Sequence, residues 1–165
     1  MANVTTLKPG DLFPENVTFQ NQRHKICGIP APYHASDEWA NKKVVLVSVP
    51  GAFMRTCSGA HLPSYIKNLS KIKEKGVDIV AFIAYNDAYV MSARGKANDV
   101  EGKDILFLSD PMASFLKSIG WSEVLGLRGR RYAIVVDHGK IVFEQRESGK
   151  GTIEASGAEA VLPIL

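Results

Sequence analysis

Two cysteines, Cys27 and Cys57, are the residues of this chain most capable of covalent chemistry. Cys57 ends the stretch Pro50-Gly51-Ala52-Phe53-Met54-Arg55-Thr56-Cys57, which separates an apolar run over 43–49 from a helical pattern. A thiol on a strand-to-helix turn faces free backbone N–H groups and the positive end of the helix dipole. That environment favours the thiolate, the reactive form of cysteine. A redox-active thiol at Cys57 is therefore the first expectation. Cys27 lies in a Pro-containing segment, Cys27-Gly28-Ile29-Pro30, that reads as a loop. His61 stands one helical turn beyond Cys57 on the same face. A general base must reach the proton it takes, so a packed, hydrogen-bonded histidine is the favoured reading of His61. Neither the cysteines nor the histidines at 24, 34, 61 and 138 show metal-ligand spacing, and no glycine-rich phosphate loop follows a strand. No cofactor or metal is expected.

The elements around Cys57 follow from hydrophobic periodicity. Residues 8–20 suggest a short edge hairpin, 21–34 a loop, and Ser36-Asp37-Glu38 a helical turn capped by Ser36. The run 44–49 predicts a buried strand. Leu62, Ile66, Leu69 and Ile72 then recur at helical spacing, with lysines opposite, until Gly76 ends the helix. A second buried strand is expected over 77–84, a helix over 88–96 capped at Asn86-Asp87, and a third strand over 105–108. After a Ser109-Asp110-Pro111 turn and a helix through 115–119, strands over 131–137 and 140–144 flank His138-Gly139 as an antiparallel hairpin. Ser156 and Glu159 have capping-box spacing ahead of a closing helix. This order predicts an α/β fold, with a mixed central sheet, parallel at first and antiparallel at the edge, and helices on both faces. With a cysteine at the start of its first long helix, the outline is thioredoxin-like.

Bulk properties set the frame. A length of 165 residues predicts one domain, 1–165. A net charge of +3, with basic residues dispersed except at Arg128, Arg130 and Arg131, does not suggest a nucleic-acid partner. No apolar run is long enough to span a membrane, and no secretory or transit pattern opens the chain, so a cytoplasmic protein is expected.

The stretch at 50–57 resembles the active-site segment of the peroxiredoxins, in their type II, fungal-like branch, whose usual form is P-G-A-F-T-P-T-C. The resemblance continues through His61-Leu62-Pro63, Lys75-Gly76-Val77-Asp78, Asn86-Asp87-Ala88-Tyr89-Val90-Met91, Ser109-Asp110-Pro111, Arg131-Tyr132-Ala133, Val136-Asp137-His138-Gly139 and the terminal 156–162 segment. It implies a thiol-dependent peroxidase on a thioredoxin-like fold. The Cys57 thiolate would attack hydrogen peroxide or an organic hydroperoxide and become a sulfenic acid. Pro50 would shape and shield the pocket, the N–H groups of Thr56 and Cys57 would receive the peroxide, and Arg131 would stabilise thiolate and substrate. The resemblance also assigns Cys27 as the resolving thiol, thioredoxin (or glutaredoxin with glutathione) as reductant, and a homodimer as the assembly.

Three positions depart from the pattern. Met54 replaces the threonine whose hydroxyl would touch both nucleophile and peroxide, and its thioether offers no donor. A weakened peroxidase, one retuned toward bulky hydroperoxides, and a module that has given up catalysis for binding, chaperone or redox-signalling work are the three readings of that change. Arg55 stands in place of proline and is expected to point into solvent. Arg94 stands where relatives commonly carry tryptophan in S-A-W-G-K.

Overall fold

A computed structural model of the chain describes residues 6–22, 28–100, 105–121 and 130–165. Seven strands form one sheet in the order β2-β1-β5-β4-β3-β6-β7. Its centre is β3 (Lys43–Ser48), β4 (Ile79–Ala84) and β5 (Ile105–Ser109), paired in parallel. The connections are α2 (Leu62–Glu74) between β3 and β4, and α3 (Ala88–Ala97) between β4 and β5. Near-continuous apolar runs are what such doubly covered strands require. On the other side of β3, β6 (Tyr132–Asp137) and β7 (Lys140–Arg146) run antiparallel. His138 and Gly139, both at positive φ, form their turn, as the sequence predicts.

Alternation along the strands builds two cores. Val44, Leu46, Ile83, Ile134 and Val136 face Trp39, Phe115 and Leu116. The last three follow or lie within α1 (Ala35–Glu38) and α4 (Ser114–Ser118). Val45, Val47, Val80, Phe82, Phe107 and Val135 face Leu62, Tyr65, Ile72, Met91 and Val161, the last from α5 (Ala158–Val161). Cys57 belongs to this second core. The fold is the mixed α/β thioredoxin-like architecture with helices on both faces.

Three local expectations change. The N-terminal hairpin is not within 8–20: β1 (Thr18–Asn21) pairs antiparallel with β2 (Ala31–His34), a segment the sequence suggests is loop. Edge strands tolerate Pro32, because an edge leaves one row of backbone groups unpaired. Ser36 does not cap α1, whose N-cap is His34. Its hydroxyl instead donates to the Pro14 carbonyl and accepts from the Val17 N–H, both at 2.8 Å. The capping box at Ser156 does not form either. Gly157 is the N-cap of α5, and Ser156 turns toward Glu147.

Candidate active site

Register brings the site together. Ser48, the last residue of β3, lies opposite Ile83 of β4 and Tyr132 of β6. The chain leaving β3 over 49–56, the chain entering β6 at Arg131, and the loop after β4 therefore meet beyond the carboxyl ends of the parallel strands. This is where open α/β sheets place ligands. The 49–56 segment is tied down by three bonds. The Val49 N–H donates to the Ile83 carbonyl at 3.0 Å, the Ala52 N–H to Asn86 Oδ1 at 2.9 Å, and the Ser58 N–H to the Met54 carbonyl at 2.9 Å.

Arg55 and Thr56 are already helical, and Cys57–His61 forms a π-helical turn leading into α2. The Leu62 N–H bonds to the Cys57 carbonyl across that wider turn. Single π turns occur often at functional sites. By position, the N–H groups that open this helix have no intrahelical carbonyl behind them, and the dipole adds positive potential there. Cys57 is a free thiol, fully buried at this helix start.

Arg131 is the cation at the sulfur. It is 3 % exposed and its Nη1 lies 3.6 Å from Cys57 Sγ. Its Nε donates to the Thr152 carbonyl at 3.0 Å and its Nη2 to the Lys150 carbonyl. Two backbone acceptors thus fix the plane of the fork and leave Nη1 aimed at the thiol, a geometry a lysine cannot reproduce.

Those acceptors sit on a loop organised by Glu147, which sequence reasoning missed. Its Oε1 accepts from the Ala155 N–H (2.8 Å), the Ser156 N–H (2.7 Å) and the Ser156 hydroxyl (2.8 Å), and its Oε2 from the Thr152 hydroxyl (2.8 Å). The Glu147 N–H also donates to the Arg131 carbonyl at 2.9 Å. Burial pushes the Glu147 carboxyl upward, but the hydrogen bonds from Ser156, Thr152 and Ala155 outweigh it and hold the group below its ordinary value. In the sequence, an acid beside Ser148 and Gly149 looks like any loop acid. Only the folded loop brings four donors to it.

His61 is fully buried, with Nε2 2.9 Å from the Ser156 carbonyl. A carbonyl only accepts, so Nε2 carries the proton. Burial, followed by the charges of Arg131 and Arg94, lowers its pKa to about 4. A neutral imidazole packed 5.9 Å from the rings of both Tyr65 and Phe82 is the outcome, in line with the packed-histidine reading. The Tyr65 hydroxyl donates to the same Ser156 carbonyl at 2.8 Å.

The other sequence candidates divide. Pro50 and Thr56 are half-buried at the start and end of the turn. Met54 is exposed, and its Cγ and Sδ lie 3.0 Å from where a Cβ on Gly51 would be, so Gly51 gives the thioether room. Arg55 is exposed, as expected. Cys27 lies outside the described residues, so its relation to Cys57 is not described. Arg94 is fully buried beside the site. Among the described residues no cluster of three or more His, Cys, Asp or Glu side chains could hold a metal ion. No helix among them is long and apolar enough to cross a membrane.

A buried free thiol at a helix start, with a fixed guanidinium on its sulfur, is chemically equipped for nucleophilic attack and for stabilising an anionic leaving group. Comparisons with known proteins agree with this geometry. Residues 8–162 match the Redoxin family. The chain is 55% identical over 167 residues to the peroxiredoxin Pen c 3 of Penicillium citrinum, covering 97% of this chain and 99% of that protein. It is 54% identical over 166 residues to the putative peroxiredoxin prxA of Emericella nidulans, covering 96% and 98%. Among solved structures it resembles reduced Prx3 in complex with H2O2 from Vibrio vulnificus. That match has a TM-score of 0.84 and 38% identity over 96% of this chain and 98% of the other.

Proposed function

We propose that this chain, which belongs to the peroxiredoxins, reduces hydrogen peroxide and organic hydroperoxides through Cys57. The observation that carries the reading is the Arg131 Nη1 contact, 3.6 Å from Cys57 Sγ at the start of a helix. The Cys57 thiolate attacks the distal oxygen of ROOH. The S–O bond forms as the O–O bond breaks, so the sulfur is oxidised to Cys57–SOH and the leaving RO⁻ takes a proton to become alcohol or water. Arg131 and the opening N–H groups of the helix, including those of Thr56 and Cys57, stabilise the charge moving onto the leaving oxygen. Pro50, at the mouth of the turn, limits water access to the sulfenic acid.

Cys27 then condenses with the sulfenic acid, releasing water and forming a Cys27–Cys57 disulfide, which we place between protomers of a homodimer. A dithiol donor of the thioredoxin type returns both sulfurs to thiols; glutathione with glutaredoxin is the other candidate reductant. The setting we propose is the cytoplasm. Met54 withholds a hydroxyl from thiolate and substrate, so turnover with hydrogen peroxide is slower than with threonine there, and bulky apolar hydroperoxides are better tolerated.

The direct test is a non-reducing gel after one equivalent of peroxide, alongside the rate of thiol loss. A cross-linked dimer that disappears in Cys27→Ser and Cys57→Ser is expected. A monomeric gel pattern from protein whose thiols have been oxidised contradicts the intermolecular route. Met54 also favours a second reading, a redox-signalling or binding module with little turnover. Oxidation of Cys57 no faster than that of free cysteine would select it.

A further inference from the structure

Arg94 is unusual in what surrounds it. It is carried by α3, one turn beyond Met91, and is 0% exposed, among the largest fully buried side chains of the molecule. The neighbouring Gly95 lets α3 sit so close to β5 that a Cβ there would meet the Phe107 ring at 2.8 Å. The guanidinium lies 5.3 Å from the centre of the Phe82 ring, and its Nη2 donates to the Cys57 carbonyl at 2.8 Å. Nε and Nη1 have no hydrogen-bond partner among the described residues. Burial lowers its pKa to about 10, while the Cys57 sulfur acts in the opposite direction. The group therefore stays charged at neutral pH.

A buried cation normally sits beside a carboxylate, because an unpaired charge in a low-dielectric interior is strongly disfavoured. Among the described residues Arg94 has no ion-pair partner; its one polar bond is to Cys57 itself. The Cys57 carbonyl also accepts the Leu62 N–H across the π turn, so Arg94 grips the site at the point where the helix is widened. Among the described residues, the anion that can offset this charge is the ionised Cys57 sulfur.

We propose that Arg94 is a second positioning cation for the peroxide reaction, clamping the Cys57 turn through its carbonyl and favouring the thiolate. The proposal rests on Cys57 being the reacting thiol. Arg131 acts on the sulfur from the β6 side, and Arg94 acts from the α3 side. Among the described residues, other titratable groups near this centre include His61 on the same turn, held neutral by burial and both arginines, Tyr65, whose ring packs against Phe82 and whose hydroxyl donates to the Ser156 carbonyl, and Glu147, whose charge acts on His61 from the loop after β7. None of them replaces a second cation.

The test is the pH profile of Cys57 alkylation by iodoacetamide, which reads thiolate formation without any peroxide turnover. Cys27→Ser serves as the background, so that one thiol reports. Arg94→Trp and Arg94→Met are expected to move the midpoint of the profile upward by about one pH unit, and Arg94→Lys to recover most of that shift. Midpoints of Arg94→Trp and the background that coincide would overturn the proposal, as would an Arg94→Lys profile displaced as far as that of Arg94→Trp. If Arg94→Met does not fold, the Trp and Lys variants decide the matter by themselves. A background protein whose thiol is no more reactive than free cysteine would instead count against the peroxidase reading, so the two failures are distinguishable.

Discussion

On one side of the Cys57 sulfur, Arg131 is locked by two loop carbonyls, and that loop is locked in turn by four hydrogen bonds to Glu147. On the other side, the 50–56 turn is held to a neighbouring side chain by the bond from the Ala52 N–H to Asn86, and it presents an exposed thioether at Met54. The first wall fixes its donor before substrate arrives, which is the condition under which electrostatic stabilisation of a transition state is most effective. The second wall offers backbone groups and an exposed thioether, which has no hydrogen to donate. In the proposed chemistry, the first wall's contribution resides in the fold, and the second wall's depends on the side chain that stands at position 54.

The largest effect is expected at the rigid wall. Arg131→Met removes the donor at the sulfur and should lower the rate of Cys57 oxidation by about two decades, or about 3 kcal/mol of barrier. Arg131→Lys should recover only part of this, because it restores charge without the fork. Stopped-flow measurement of thiol loss with hydrogen peroxide checks both, and a Lys variant as fast as the parent would break the argument from geometry.

Next comes the support behind that wall. Glu147→Ala strands several buried donors and should cost about 3 kcal/mol of stability in urea unfolding. It should also slow peroxide reduction in protein that remains folded. Glu147→Gln, which keeps the acceptor oxygen and loses the charge, should be milder on both counts.

Acid should weaken the site through His61. Its folded pKa, about 4, lies below the ordinary value of 6.5, so the unfolded chain binds a proton that the folded chain refuses. Stability is then full above pH 6.5 and falls as pH drops toward 4, by ~2 kcal/mol between pH 7 and 5. Urea midpoints at the two pH values read this, and His61→Asn should flatten the difference. Equal slopes in parent and variant would mean the titration lies elsewhere.

The smallest effect belongs to the second wall. Met54→Thr should accelerate oxidation by hydrogen peroxide about tenfold, the worth of one charge-assisted hydrogen bond, with less gain for a bulky alkyl hydroperoxide. A rate unchanged for both substrates would mean that the missing hydroxyl is not what distinguishes the two walls.

Much of this was legible in the residues. The apolar runs at 44–49, 77–84 and 105–108 show the doubly covered parallel centre, because burial on both faces leaves a one-dimensional signal. His138-Gly139 shows the hairpin because its turn needs positive φ at both residues. The Cys57 turn and Arg131 are legible through family resemblance. What escaped depends on contacts distant in sequence. The segment Ala31–His34 is short and contains proline, and it becomes a strand only by pairing with Thr18–Asn21. Ser36 and Ser156 carry helix-cap signals, yet tertiary partners take their hydroxyls. Glu147 and Arg94 look like surface charges, since nothing local marks a charged residue as buried. Arg94 could be singled out only as a departure from the tryptophan of its relatives.

The proposed chemistry turns on Cys57 as an activated thiol held between two walls. Its most direct test is the second-order rate of Cys57 oxidation by hydrogen peroxide in reduced Cys27→Ser protein, followed at pH 7 beside free cysteine. A rate more than ~100-fold above free cysteine is predicted, even with Met54 in place. A rate equal to that of free cysteine would contradict it.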